Sequence, residues 1–496
     1  MAKSGASPLP GSVRKDDSAK ASVEREIKLS AESTVHLPAS LGRPLPIRRL
    51  TSKYYDTEDL RLARAGITLR RRTEERRGVW QLKLPVAGAR RELELPGPST
   101  APPSSLQDLL MAHLREKPLR EIATLRTHRQ GIRATNGHGG VADVVVDHVS
   151  VTDGRHIVRR FREIEIELVK GDQNFIAELE KVLRKAGAGN HDGRPKLFHA
   201  LDLPMLSRPG PPAKDAPLRE HLRYSLGRQL HALLAHDPGT RWGRDPEHLH
   251  QMRVATRRLR AILRAAAPLL TPTWVQPLRE DLVWLGALLG PVRDLDVQLD
   301  SFRREAKRLD VHDRGPLIRF VKRLLAERQR KQDDLVDGLR SKRYLGFIER
   351  LIEAADAPSI IETELTLKDI AAQEFKKLAK AVDRLDAVPS DVELHRVRIK
   401  AKRARYAAEL AESAVGKRAT KFIRSAKALQ DVLGKHQDAV VGEQRIRTLF
   451  AEAKGRRAAF TAGRMVERQR QRRDQARALF WPLWKKVEKR ARKVWQ

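Results

Sequence analysis

The sequence predicts an α+β chain, with an antiparallel β domain and a few flanking helices first and an all-α domain after it. Three observations carry this. Short runs of period-two alternation crowd residues 23–202, a proline-rich stretch follows, and from residue 216 to Gln496 the periodicity is helical almost without a break. At 496 residues the chain has room for each part to bury a core of its own.

Taken in order, residues 1–22 are rich in Ser, Ala, Pro, Gly and Lys and read as a disordered leader. Strands are expected at Val23–Leu29, Ile67–Arg72, Trp80–Leu84, Arg91–Leu95, Val141–Val146 and Arg162–Lys170. Amphipathic helices interrupt them near Ser105–Leu114 and Asn174–Ala186. Pro204, Pro209, Pro211 and Pro212 mark a linker, which places the β domain at 23–202, the linker at 203–215 and the helical domain at 216–496.

Composition narrows the function classes. The chain has no cysteine, so disulfides and thiolate metal sites are excluded, in keeping with a reducing cytoplasm. No apolar run reaches spanning length and no signal-peptide pattern follows Met1, so membrane insertion and secretion are not expected. A formal net charge of +36 makes a polyanion the expected partner, whether nucleic acid, membrane surface or polyphosphate.

The strands carry charge in an ordered way. Side chains alternate along a strand, so Glu24, Glu26 and Lys28 share one face while Ile27 and Leu29 take the other. Glu163, Glu165 and Glu167 repeat the pattern opposite Ile164, Ile166 and Leu168. Arg70 and Arg72, then Lys83, supply basic faces between them, and Glu92 and Glu94 a further acidic one. Carboxylates at i, i+2 and i+4 repel unless a cation lies among them or basic strands face them. A closed barrel with a charged interior meets both conditions. Its acidic clusters suit Mg²⁺ or Mn²⁺, and its Arg and Lys suit phosphate oxygens.

Glu24-x-Glu26-x-Lys28 resembles the ExExK signature of the CYTH superfamily, the triphosphate tunnel metalloenzymes. The resemblance runs on through Tyr54-Tyr55-Asp56-Thr57, Gly66–Arg72, Trp80-Gln81-Leu82-Lys83, Leu125–Arg129, the strand ending at Asp147 and Glu163–Leu168. It implies an eight-stranded antiparallel tunnel that binds a triphosphate end-on with a divalent metal. It implies further that Glu24, Glu26, Glu165 and Glu167, with Asp147 and Glu163 beside them, hold Mg²⁺ or Mn²⁺. Lys28, Arg70, Arg72, Lys83 and Arg129 would grip the phosphates, within a site that also takes in Glu92, Glu94 and Lys196. Where relatives commonly carry Ser-Lys near the last strand, this chain has Pro195-Lys196, which removes a hydroxyl and a backbone N–H.

The helical part repeats itself. His250–Arg260 and His395–Arg405 both read H-x-x-R-x-x-x-[RK]-R-x-R, Leu285–Asp294 matches Leu429–Asp438, and Glu327–Arg330 matches Glu467–Arg470, in the same order. Two units, about 216–355 and 365–496, are expected, each a four-helix bundle. On a helix, His250, Arg253 and Arg257 fall in line, as do His395, Arg398 and Lys402. Like charges so placed cost stability unless an anion relieves them. The stripes lack aromatic side chains apart from Tyr406, which favours phosphate chains over nucleic acid, whose bases usually stack on aromatics. The repeat resembles the CHAD family, the conserved-histidine α-helical domain. That resemblance implies a polyphosphate-binding groove lined by His250, Arg253, Arg257, Arg260, His395, Arg398, Lys402 and Arg405. Together the two resemblances point to an inorganic triphosphatase joined to a polyphosphate anchor, with association to polyphosphate granules as a corollary. The alternatives are a catalytically idle tunnel in a polyphosphate-binding, granule-associated protein, a nucleic-acid binder, and a tunnel that acts on nucleoside or thiamine triphosphate.

Overall fold

The computed structural model describes residues 20–24, 26–31, 35–75, 77–86, 89–205, 209–307, 315–451 and 455–495. The chain forms two compact units, Met1–Arg208 and Pro209–Gln496. The expected leader lies outside the described residues as far as 19, and its positions 20–22 already belong to a strand.

In the first unit, β1 (Lys20–Glu24), β2 (Glu26–Ser30), β3 (Gly42–Asp56), β4 (Thr68–Glu74), β5 (Arg77–Val86) and β6 (Ala89–Leu95) are followed by β7 (Arg120–Thr135), β8 (Val141–Asp153), β9 (His156–Lys170) and β10 (Gly189–Asn190). They make one sheet in the order β1-β6-β5-β4-β3-β7-β8-β9-β2-β10, with every neighbouring pair antiparallel. The strand expected at Val23–Leu29 therefore falls on two described segments with different partners. Its first part pairs with β6 and its second with β9, at opposite ends of the order. Only a strand that changes partners in this way can join the two ends of a sheet into a tunnel and leave no long edge exposed. Counting β1 and β2 together, the tunnel has eight long strands plus the two-residue β10.

The period-two pattern gives the wall two faces. Val144, Val146, Ile164 and Ile166 point outward and meet α3 (Gln173–Lys185) through Phe175, Ile176, Leu179 and Leu183. Asp172 starts that helix by accepting the backbone N–H groups of Asn174 and Phe175. A second cluster, on the lumen face, sets α4 (Lys196–Leu201) against Tyr54, Leu125, Val149 and Val151 through Leu197 and Phe198. Between β3 and β4, α1 (Arg61–Arg64) is capped by buried Asp56, whose carboxylate accepts N–H groups from Thr57, Leu62 and Ala63. The remaining helix of this unit, α2, spans Ser104–Leu114.

The second unit is helical throughout. Its first half holds α5 (Leu218–Trp242), α6 (Pro246–Ala265), α7 (Pro272–Ala306), α8 (Gly315–Arg340) and α9 (Lys342–Asp356). Its second holds α10 (Leu367–Val382), α11 (Asp391–Val415), α12 (Lys417–Ala451), α13 (Arg456–Ala478) and α14 (Phe480–Trp495). The matched sequence segments fall on α6 and α11, α7 and α12, α8 and α13, and equivalent helices pack on one another in both halves. Each half thus has the four expected helices and a fifth, α9 or α14, packed on α5 or α10. The halves meet where α6 lies on α11, and again where Leu295, Phe302 and Leu324 pack with Ile446, Phe450 and Met465. Among the described residues no helix is long and apolar enough to cross a membrane.

Candidate functional site

The tunnel encloses a cavity of about 310 Å³. Seven cations line it (Lys28, Arg48, Arg70, Arg72, Lys83, Arg129 and Lys196) against six carboxylates (Glu26, Glu92, Glu94, Asp147, Glu165 and Glu167). Strand register brings them together. Glu26 lies opposite Glu167 and Lys28 opposite Glu165 across β2 and β9, while Arg129, Asp147 and Glu163 form one row across β7, β8 and β9.

One wall is a buried acidic trio. Asp147, Glu163 and Glu165 place carboxylate oxygens within 4.8 Å of one another, and three cations sit among them. Lys28 Nζ donates to Glu163 at 2.9 Å and Glu165 at 2.5 Å. Lys196 Nζ reaches Asp147 at 2.5 Å and Glu163 and Glu165 at 3.0 Å each. Arg129 grips Asp147 with two bonds of 2.7 Å and Glu165 with one of 2.5 Å. Burial alone would raise the pKa of Glu163, but Lys196 and Lys28 hold it down to about 2, and Glu165 is held well below its usual range by the same two ammonium groups and Arg129. Burial likewise pulls Lys28 and Lys196 down, and Glu165 and Glu163 more than offset it. These four groups therefore stay charged at neutral pH.

The other wall is more basic. Arg70 donates to Gln81 at 2.7 Å and to the Tyr54 hydroxyl at 3.1 Å, and Gln81 in turn donates to Glu94. Arg72 stands 3.5 Å from Glu94 and Lys83 3.7 Å from Glu92. Burial, then the neighbouring Arg70 charge, pulls Arg72 below its usual value, as happens where cations are gathered more closely than their partners can neutralise. Pro195 stands before the first residue of α4, where a missing N–H costs nothing, and Lys196 reaches the trio in spite of the departure from Ser-Lys.

Of the sequence-predicted tunnel residues, twelve line the cavity, and Glu163 joins it through Lys28 and Lys196. The backbone of Glu24 lies in β1 opposite Arg90, and its side chain falls outside the described residues. Three residues were not named as site residues: Tyr54 and Gln81, which accept from Arg70, and Arg48, whose guanidinium is held by Glu74. Gln81 stands two residues before Lys83 on the same strand, so the period-two rule already puts the two on one face.

In the second unit the two stripes converge. Arg257 of α6 lies close enough to Arg398 and Lys402 of α11 to depress both, and Lys402, lowered first by burial and then by Arg398 and Arg257, falls to about 8. Asp438, the facing carboxylate, is itself pushed up by burial. Burial and Arg293 lower His250, whereas His395 bonds Gln437, the residue matching Arg293, at 2.7 Å. Arg253 pairs with Asp294 at 3.2 Å. Arg260 is exposed on the same helix near Arg264, whose neighbours include Arg403 and Arg279. Arg405 differs: it is buried, pairs with Glu409 at 3.1 Å and stacks on Tyr406.

A CYTH domain model matches residues 22–193 and a CHAD domain model residues 225–447. Two curated relatives from strains of Mycobacterium tuberculosis, both described as uncharacterized, are each 31% identical over 489 residues, covering 90% of this chain and 92% of their own. The chain belongs to the CYTH–CHAD proteins. Similar solved structures include PptA from Streptomyces chartreusis, at 21% identity over 54% of this chain and 100% of that one, with a TM-score of 0.46. A CHAD domain from the plant Ricinus communis is 27% identical over 56% of this chain and 96% of that one, with a TM-score of 0.44. A Hippeastrum putative adenylyl cyclase, described as having a dominant triphosphatase activity, is 18% identical over 37% of this chain and 97% of that one, with a TM-score of 0.25. The tunnel is thus a CYTH domain of the triphosphate tunnel type, and the basic helices are those of a CHAD domain.

Proposed function

We propose that the CYTH tunnel hydrolyses inorganic triphosphate with Mg²⁺ or Mn²⁺, and that the CHAD stripes bind inorganic polyphosphate. The observation that carries the first part is the acidic trio lying in the same small cavity as a basic wall. Three carboxylates with oxygens inside 4.8 Å are a donor set for a hard divalent ion, and the lowered pKa values of Glu163 and Glu165 make those two ligands rather than general bases. Asp147, Glu163 and Glu165 would hold the metal, with Glu26 and Glu167 nearer one another across the strands. When bound, a divalent ion supplies charge neutralisation for the phosphate chain and a more acidic water.

The chain's own residues do the rest. Arg70, oriented by Gln81 and Tyr54, with Arg72 and Lys83, fixes the phosphate chain on one side. Lys28, Arg129 and Lys196 are placed to follow charge onto it on the other. Water attacks the terminal phosphorus, the P–O bond to the leaving pyrophosphate breaks, and orthophosphate and pyrophosphate result. Tyr54 is the one aromatic among the lining residues and its hydroxyl is engaged by Arg70, which favours a substrate without a base or ring. Turnover of triphosphate, ATP, thiamine triphosphate and polyphosphate by the full chain tests this. Triphosphate should be preferred, and Glu165→Ala and Glu24→Ala should abolish metal-dependent turnover; full activity in both variants would sink the assignment.

For the CHAD domain, the convergence of Arg257, Arg398 and Lys402 supports a ligand that threads between the repeats. Changing Arg253 and Arg398 together to Glu should weaken polyphosphate binding more than the same two charge changes at the C-terminal Lys489 and Arg490. Equal losses would mean diffuse attraction, and stronger competition by RNA or duplex DNA would favour a nucleic-acid partner.

A further inference from the structure

The trio has a support that lies outside the cavity. His191 sits on the turn between β10 and α4, the same connection that delivers Lys196. Its imidazole side chain is 7% exposed, and its Nε2 stands 3.7 Å from Glu163 Oε2. Both atoms are buried, and neither has a hydrogen-bond partner among the described residues. Glu163 Oε1, by contrast, already takes Lys28 at 2.9 Å and Lys196 at 3.0 Å. The two oxygens of one carboxylate therefore face different neighbours, cations on the lumen side and a histidine behind.

The tautomer follows from the backbone. Gly193, at φ +79° in the left-handed region that favours glycine, turns its N–H back to His191 Nδ1 at 2.9 Å. A nitrogen that accepts a hydrogen bond carries no proton, so the neutral ring carries its proton on Nε2, aimed at Glu163. The turn is braced on its own account. Asp192 accepts the Arg194 backbone N–H at 2.9 Å and its guanidinium at 2.6 Å, and His199 packs edge-on against His191 at 5.5 Å between ring centroids. His191, Asp192 and His199 also bring ligand atoms within 4.8 Å, but Gly193 engages His191 Nδ1, Arg194 engages Asp192, and His199 Nε2 faces Asp192 Oδ1 at 3.2 Å, so the group reads as a brace and not as a second metal centre.

We propose that His191 is a positioning residue: its Nε2–H holds Glu163 Oε2, so that Oε1 is presented to the lumen as a metal ligand. A small rotation of the carboxylate closes the gap to hydrogen-bond length and satisfies two buried polar atoms at once, each of which is costly left alone. An N–H behind a ligand carboxylate sets its orientation, and loss of such an outer partner typically costs about tenfold to a hundredfold in metal affinity or activity. The inference rests on the proposed metal role of Glu163.

The experiment compares the full chain with His191→Phe and His191→Gln, whose amide can still donate from about the same place. Mn²⁺ binding is followed by titration calorimetry and triphosphate turnover by steady-state kinetics. In His191→Phe the Mn²⁺ dissociation constant should rise about tenfold or more and kcat should fall, with KM for triphosphate little changed; His191→Gln should recover most of both. If His191→Phe does not fold, His191→Met takes its place. The idea is overturned if a folded variant without the donor binds Mn²⁺ as wild type does, or if Gln recovers nothing. Should the wild type turn over no triphosphate, the functional reading falls while the Mn²⁺ titration still decides the role of His191. Should the wild type bind no Mn²⁺, the role falls as well.

Discussion

Replacing Lys196 by Met should weaken the fold and strengthen metal binding in the same molecule. In the tunnel, Lys28, Lys196 and Arg129 lie against Asp147, Glu163 and Glu165, so three positive charges meet three negative ones. A divalent ion approaching this group meets no net charge and has to displace an ammonium from its carboxylates. Lys196→Met leaves one buried carboxylate charge uncompensated, and breaking a buried pair in this way costs about 3–5 kcal/mol. In a unit of this size each kcal/mol moves the melting temperature by about 2–4 °C, so the tunnel's transition should fall by roughly 6–20 °C. The same site, now carrying a net negative charge, attracts a dication. Unit charges about 4 Å apart near a protein surface interact by about 4 kcal/mol, and stripping water from the ion offsets most of it. A residual gain of about 1.4 kcal/mol is a tenfold tighter Mn²⁺ complex.

Calorimetric titration with Mn²⁺, and thermal melts with and without millimolar Mn²⁺, give the readout. The variant should melt lower than wild type, bind Mn²⁺ about tenfold more tightly and recover more of its stability on adding the ion. Wild type should gain tight metal binding only when triphosphate is present to receive the displaced ammonium groups. A Lys196→Met protein that binds Mn²⁺ no better than wild type, or a wild type that binds it tightly without triphosphate, would refute the exchange.

Two further outcomes follow. Lys402 loses its proton near pH 8 in the free protein, and a bound polyanion favours the charged form. Polyphosphate affinity should therefore fall as pH rises past about 8 and binding there should take up a proton, visible as buffer-dependent heat; Lys402→Arg should remove both effects. Because this pKa lies below its unfolded value, the folded state binds fewer protons between about 8 and 10.5, and Lys402's contribution to stability rises across that window. Asp56→Ala removes the acceptor for three backbone N–H groups at the start of α1 and should cost about 2–3 kcal/mol in denaturant unfolding, with Mn²⁺ affinity unchanged.

How much of this could be read from the chain depends on what each strand faces. β8 and β9 put apolar residues under α3 and charges into the lumen, so their alternation is plain. β3 escaped notice because both of its faces are polar. Arg48, Leu50, Ser52 and Tyr54 look into the cavity, while Arg49, Thr51, Lys53 and Tyr55 look away, and no apolar period results. Arg48 and Tyr54 were lost with it. The change of partner between Glu24 and Glu26 was hidden for another reason: closing a sheet is a property of the whole ring, and nothing within Val23–Leu29 announces it. Asp56, quoted only within Tyr54-Tyr55-Asp56-Thr57, is a helix cap, which the motif alone does not show. His191 had no local signal, because its role exists only once a turn and a distant strand meet. In the helical half the repeat was legible because it recurs in register. The fate of Arg405 was not, since Glu409 one turn further on cancels a charge that helical spacing alone leaves in line with Arg398 and Lys402.

The two proposed phosphate-binding surfaces should differ in how steeply their binding depends on salt. In the CYTH tunnel the lining cations nearly balance the lining carboxylates, seven against six, and the closest contacts are already ion pairs. A triphosphate entering with its metal exchanges one set of internal pairs for another, so few bound salt ions are released. In the CHAD domain Lys402 is surrounded by Arg398, Arg257 and Arg405 against one facing carboxylate, Asp438, so anions from solution must gather there until a polyanion displaces them. Displacement of counterions makes log Kd depend linearly on log salt concentration, with a slope that counts the charges neutralised. Polyphosphate binding should show a slope of several units, and metal-bound triphosphate a slope of about one or less. Both can be measured on the same preparation by titrating each ligand across about 50–300 mM salt. Equal slopes would mean that the tunnel's cations are not held by its own carboxylates, and the exchange of ammonium for metal would lose its basis along with them.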